Sequence, residues 1–211
     1  MKKKLLSIVQ LAVFYLAIFY FGAPELWSLP HFYILFLVGC LALIFQPGFH
    51  AFESGASTDR GTAAQILWSV QLTQVAAVME AVFFRFPDSF VWDSITSIGL
   101  ISMLLGLCLR TFAVLHLGKA FTWHIDPEKA TSLITDGPYR LCRHPSYVGA
   151  FLLYTGAVVF LHAQYALIAS LVVLPMAFLR RMKWEEVELS KHFGEEYDEY
   201  CRRVGRISPF L

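Results

Sequence analysis

YVGAFLLYTGAVVFLHAQYALIASLVVLPMAF, running from Tyr147 to Phe178, is the stretch on which the fold turns. It contains no Asp, Glu, Lys or Arg, and its clearest polar interruption is His162-Ala163-Gln164. As one helix it would extend about 48 Å at 1.5 Å per residue, well beyond a hydrocarbon core of about 30 Å. Two helices folded back on each other near His162 match that thickness. The stretch therefore reads as a helical hairpin inside a membrane.

The rest of the chain agrees. Of 211 residues, 57% are hydrophobic and only 16% charged, with a mean hydropathy of +0.56. A soluble domain carries about 25% charged residues, so the shortfall leaves too little polar surface to face water. Four further apolar runs precede the hairpin: Leu5 to Ala23, Phe32 to Phe45, Ala63 to Phe84, and Ser94 to Leu117. The first exceeds the apolar core of about 7–15 residues in a signal peptide and has no clear small-x-small cleavage site, so it reads as an uncleaved anchor. The expected fold is all-α, a polytopic membrane bundle of about six crossings, closed by an amphipathic cytosolic helix. Residues 1–117 would form the membrane scaffold and 118–211 the catalytic region of one structural unit.

Orientation follows from Lys and Arg. Lys2 to Lys4, Arg60, the segment Lys119 to Arg143 and the tail Arg180 to Arg206 all fall on one side, while the opposite loops carry only Arg85. Both termini, and any chemistry in the basic segments, are expected to be cytosolic. The formal net charge of +1 is not gathered into a patch able to track phosphates, which argues against nucleic acid. Cys40, Cys108, Cys142 and Cys201 are widely spaced and unlike a zinc site, so reduced thiols are expected. Two ionisable residues, Glu80 and Arg110, fall inside apolar runs at different depths. Each lies close enough to an interface for its side chain to reach water, with a contact near a bound ligand as the alternative for Arg110.

Polar residues able to do chemistry lie on either side of the hairpin. The first segment ends in GPYRLCRHPSYVG, Gly137 to Gly149. Gly137-Pro138 signals a turn, and Pro145 suits the first turn of the following helix, where a missing N–H costs nothing. That helix start, with His144, Ser146 and Tyr147 around it, offers a positive dipole end to an anionic group. An interfacial belt also uses Tyr, His and Arg, but a belt requires no Gly-Pro, His-Pro and Gly at these spacings. The second segment is RRMKWEEVEL, Arg180 to Leu189, followed by HFGEEYDEYCRRV from His192. Arg181 and Glu185 are four apart and so share a helix face; as a surface pair they would contribute only a few tenths of a kcal/mol. Phe193, Tyr197, Tyr200 and Val204 form an aromatic stripe best suited to packing.

At these segments the chain resembles the isoprenylcysteine carboxyl methyltransferase family. The likeness covers about Gly106 to Leu211 and is carried in order by Leu117-Gly118…Phe121, Gly137-Pro138-Tyr139, RHPSYVG, RMKWEEVEL, HFGEEYDEYCRRV and Pro209-Phe210. The resemblance implies S-adenosyl-L-methionine as methyl donor, S-adenosylhomocysteine as product, and a lipophilic or prenylated substrate entering from membrane lipid. It implies donor contacts at Thr131, Ser132, Leu133, Ile134, Tyr139, His144, Pro145, Ser146, Tyr147 and Glu185. It also implies a substrate contact at Arg181, so that Arg181 and Glu185 carry the catalysis. The segment from Phe121 to Leu133, including His124, is slightly shorter than in eukaryotic members, and the chain is similar to the shorter prokaryotic forms.

Methyl transfer from a sulfonium needs alignment and exclusion of water more than acid–base help. A carboxylate acceptor, with a reference pKa near 4, is ionised at pH 7 and needs no base, only a cation such as Arg181 to orient it in a fork. An amine or thiol acceptor would need deprotonation; phospholipid and thiol methyltransferases share the fold, which leaves them as alternatives. Membrane sterol reductases, which bind NADPH, have a similar C-terminal pattern and are a second alternative. A non-catalytic scaffold is a third. The oligomeric state is not readable.

Overall fold

The computed structural model describes residues 2–22, 24–45, 59–121 and 132–208. Among these residues there is helix and no strand. The helices are α1 (Lys2–Phe21), α2 (Pro30–Phe45), α3 (Thr62–Met79, continued by a π-helical turn Glu80–Phe84), α4 (Ser94–Leu117), α5 (Pro145–Phe160), α6 (Gln164–Phe193) and α7 (Glu195–Arg203). Three of them, α3 with its π turn, α4 and α6, are long and apolar enough to cross a membrane. The apolar parts of α1, α2 and α5 are shorter.

The outer surface confirms the solvent. On α4, Ile98, Ile101, Leu105, Phe112 and Leu115 are all exposed and recur at helical spacing; on α6, Ile168, Val172, Met176 and Leu179 do the same. Apolar stripes this continuous are stable against lipid and not against water. The chain is an integral membrane protein.

The hairpin turns at Leu161 to Ala163, with His162 in the left-handed region at φ 51°. Two partners at the start of α4 hold that imidazole. Its Nε2 lies 2.9 Å from Thr96 Oγ1 and 3.3 Å from Asp93 Oδ1, while Asp93 accepts from the Thr96 backbone N–H at 2.9 Å and so caps α4. From this end α4 and α5 run together at unusually close range. A Cβ on Gly106 would lie 2.3 Å from the Leu153 nitrogen and 2.6 Å from the Gly149 oxygen. One on Gly99 would meet Phe160 backbone at 2.4 Å, and one on Gly156 the Met103 nitrogen at 2.6 Å. Small residues let two backbones touch, which is how helices associate where no hydrophobic effect drives them.

Glu80 and Arg110 do not reach water, contrary to expectation. Both are buried, and each satisfies backbone or side-chain groups of another helix. The Glu80 carboxylate accepts from the N–H groups of Tyr165 at 3.1 Å and Ala166 at 2.8 Å, capping α6. Arg110 Nη1 donates to Ser146 Oγ and Ser146 O, both at 3.2 Å, at the start of α5. Glu80 closes a helix end that lipid cannot solvate, whereas Arg110 ties α4 to the first turn of α5.

At about 45 Å, α6 runs past the apolar stretch without a break, carrying Arg181 and Glu185 on the same rod as the hairpin. It stops at Gly194, φ 58°, so the aromatic stripe is divided between α6 and the short α7 rather than lying on one helix. Tyr197 and Tyr200 are buried, whereas Glu195, Glu196, Asp198 and Glu199 face solvent. Beneath the Arg181 end of α6, Ala150, Leu174, Phe178 and Met182 form a small apolar core that also seats Tyr147.

Candidate active site

The start of α5 is built as its sequence implies. His144 precedes the helix, Pro145 occupies its first turn, and the His144 carbonyl accepts from Tyr147 N at 3.1 Å and Val148 N at 3.2 Å. The three side chains expected to gather there point to different partners. His144 Nε2 lies 3.1 Å from Glu186 Oε1, Ser146 accepts from Arg110, and Tyr147 alone reaches the Arg181 and Glu185 face of α6.

Around Tyr147 is one cluster. Its hydroxyl accepts from Arg181 Nε at 3.2 Å and donates to Glu185 Oε2 at 2.8 Å, with Arg181 Nε and Glu185 Oε2 3.9 Å apart. Arg181 Nη1 also donates to Thr62 Oγ1 at 3.0 Å and pairs with Asp59. Arg181 is almost fully enclosed, while the Glu185 side chain keeps 30% of its surface open. A buried cation thus sits beside a carboxylate that can still be reached.

Around Glu186 is a second cluster. Arg143 donates to its Oε1 through Nε at 3.0 Å and Nη2 at 2.9 Å, Arg206 through Nε at 3.1 Å, and Arg206 Nη2 reaches Oε2. Arg143 Nη1 continues to the carbonyls of Cys201 at 3.1 Å and Val204 at 2.7 Å. The backbones pair as well, with Arg143 N donating to Gly205 O at 2.9 Å and His144 N to Arg206 O at 3.1 Å. The tail beyond α7 is thereby fastened along the His-Pro turn.

Tyr139 forms the floor between these parts. Its hydroxyl donates to Ala113 O at 3.3 Å, and its carbonyl accepts from Tyr200 Oη at 2.6 Å. Burial, with Glu185 and Tyr147 adding to it, pushes its phenol above the ordinary value. Its ring stacks on His116, whose Nε2 lies 2.9 Å from Asp136 Oδ1 and holds that exposed carboxyl below the usual range. Gly137, φ 54°, fits against the His116 ring, where a Cβ would come within 2.6 Å.

Residues 97–191 match the model of the isoprenylcysteine carboxyl methyltransferase (ICMT) family. A probable protein-S-isoprenylcysteine O-methyltransferase of Oryza sativa subsp. indica is 30% identical over 170 residues, 80% of this chain and 88% of the relative. The chain belongs to the isoprenylcysteine carboxyl methyltransferase family. The mouse protein-S-isoprenylcysteine O-methyltransferase is 35% identical over 135 residues, which are 63% of this chain and 47% of that one. A solved structure of a eukaryotic intramembrane Ras methyltransferase of the family superposes with a TM-score of 0.64 at 27% identity, over 86% of this chain and 68% of the other. This ICMT-family chain is a membrane methyltransferase and draws on a methyl donor. The reductase and scaffold alternatives lose their ground.

Of the ICMT-type donor contacts expected from sequence, Tyr139, His144, Pro145, Ser146, Tyr147 and Glu185 belong to the two clusters or their immediate supports. Ser132 is exposed and Leu133 and Ile134 are partly buried, in irregular chain leading to the Gly137 turn. Thr131 and His124 lie outside the described residues. Sequence reasoning missed Asp59, Thr62, Arg143, Glu186 and Arg206. For Glu186 a signal existed. Adjacent helical residues point about 100° apart, so two consecutive glutamates must serve different partners. The cysteines are free thiols, and burial pushes those of Cys142 and Cys201 up.

Proposed function

We propose that the chain transfers the methyl group of S-adenosyl-L-methionine to the C-terminal carboxylate of a prenylated cysteine, at the cytosolic end of α5 and α6. The observation that carries this reading is the Arg181–Tyr147–Glu185 cluster, a buried cation beside an accessible carboxylate at the mouth of an apolar bundle. The donor's amino-acid end is zwitterionic, and the residues fit it. Glu185 suits the ammonium, and the positive end of the α5 dipole suits the carboxylate. Tyr139, His144, Pro145, Ser146 and Tyr147, with the segment 131–134, would line its binding site.

When bound, the donor supplies an activated methyl on a positive sulfur. An acceptor carboxylate ionised at neutral pH needs no residue to take a proton from it. The chain's work is positional. Arg181 orients the acceptor carboxylate, Tyr147 fixes Arg181 relative to Glu185, and the Glu186 knot keeps the His-Pro turn in place. Charge placement supports a cytosolic site, both termini cytosolic and about six crossings. Residues 118–211 would carry the donor site, with Asp59, Thr62 and Arg110 reaching in from the scaffold of 1–117.

The test uses detergent-purified protein with methyl-labelled donor and N-acetyl-S-farnesylcysteine. Base-labile methyl ester is expected. Label appearing only in a lipid amine or a thioether, under the same conditions, would overturn the carboxylate assignment while leaving the methyltransferase intact.

A further inference from the structure

Arg181 already has acidic company. Asp59 pairs with its Nη1, Glu185 lies 3.9 Å from its Nε, and both Arg181 and Asp59 are 4% exposed. A substrate carboxylate arriving at the same guanidinium would make three negative groups around one positive one, in surroundings that screen poorly. One of the two residents must give way.

Glu185 is the poorer candidate to move. It sits one turn from Arg181 on the same unbroken helix and is held by Tyr147. Asp59 is at a joint. It is followed by Arg60 at φ 50° and Gly61 at φ 73°, two left-handed residues before α3 begins. It also has a second partner, because its Oδ2 accepts from Ala63 N at 3.1 Å at the start of α3, a bond made without the arginine. Thr62, which donates to the Asp59 carbonyl at 2.8 Å, accepts from Arg181 through the same hydroxyl and links the two positions.

We propose that Asp59 is a positioning residue that occupies the place of the acceptor's carboxylate on Arg181, yields it when the acid binds, and reclaims it once the carboxylate has become a neutral ester. Asp59 thus sets how strongly the site prefers acid to ester and helps release product. The inference rests on the role proposed above for Arg181. A competitor that leaves the guanidinium available about one-tenth of the time weakens apparent acid affinity about tenfold.

The experiment measures binding of N-acetyl-S-farnesylcysteine and of its methyl ester to the full chain in detergent, for wild type, Asp59→Asn and Arg181→Gln. Asp59→Asn keeps an oxygen to cap α3 and removes the charge; Asp59→Ser is the second variant should the first fail to fold. Expected is an acid affinity about tenfold tighter, with the ester within about twofold, so that the ratio shifts. A merely structural Asp59 would weaken both ligands together or leave both unchanged, and either result overturns the proposal. If wild type binds the acid no better than Arg181→Gln does, the substrate role of Arg181 fails and this inference falls with it. If only the Asp59 variants behave like wild type, Arg181 keeps its role and the inference alone is lost.

Discussion

Glu185 and Glu186 are neighbours in sequence and opposites in the molecule. Glu186 is 12% exposed and ringed by Arg143, His144 and Arg206, with both oxygens engaged. Glu185 keeps 30% of its side-chain surface and has Tyr147 and, at 3.9 Å, Arg181 beside it. A carboxylate saturated by three basic side chains has nothing left to offer a ligand, and its job is to tie α6 to the His-Pro turn and the tail. A carboxylate left accessible beside a buried arginine can still accept a cationic ligand. The identical residue type serves as rivet in one place and as recognition group in the next.

The widest way to break that contrast is Glu186→Ala. It strands Arg143, His144 and Arg206 with no common counter-charge, which costs about 3 kcal/mol when a partner is removed from an enclosed ion pair. The thermal midpoint in detergent should fall clearly, and the tail from Val204 should become accessible to protease. A variant as stable as wild type would show that the knot holds nothing together.

Glu185→Gln should do the reverse. A hydrogen bond to a charged group contributes about 1.5–3 kcal/mol, so affinity for S-adenosylhomocysteine should drop about tenfold to a hundredfold, with the thermal midpoint of the ligand-free protein little changed. Calorimetric titration decides it. Equal losses of stability in both variants would erase the distinction between rivet and recognition group.

Much of this was legible beforehand, for physical reasons that differ by residue. The hairpin announced itself because a bilayer sets a length that Tyr147 to Phe178 exceeds and because His162 marks where to turn. Arg181 and Glu185 shared a face by helix arithmetic, and Pro145 started α5 because proline suits few other places in a helix. Asp59 was beyond reach, since nothing local says that a residue before α3 will meet one far along α6. For Glu80 and Arg110 the sequence gives depth but not partners, and depth alone points to water. In the fold, helix ends were nearer than solvent. The knot was hidden likewise, as Arg143 and Arg206 look like ordinary positive-inside charges until the tail folds back.

Gly106→Ala sharpens the comparison from a distance. Its new Cβ would meet the Leu153 nitrogen and the Gly149 oxygen, both backbone, so α4 and α5 must separate. Overpacking of this kind costs about 1–3 kcal/mol. Because Gly149 follows the His-Pro turn on α5, donor affinity should fall together with the thermal midpoint. A pure loss of stability, with affinity in the folded fraction intact, would mean that the site tolerates movement of α5.

The smallest effect belongs to the far end of the same rod. Glu80 caps α6 at Tyr165 and Ala166, about 24 Å along the helix axis from Arg181. Glu80→Gln keeps one oxygen acceptor and replaces the other with a donor that cannot accept, so one capping bond and the favourable charge at a helix N-terminus are lost. Such a cap contributes about 1 kcal/mol, a small drop in thermal midpoint. Donor affinity should stay within twofold of wild type. That combination assigns Glu80 to the rivets, with the third glutamate sorted by its partners rather than by its depth in the membrane. A large loss of affinity would instead mean that strain at the start of α6 reaches Arg181 through the whole helix, and the division between holding and recognising would then fail along its length.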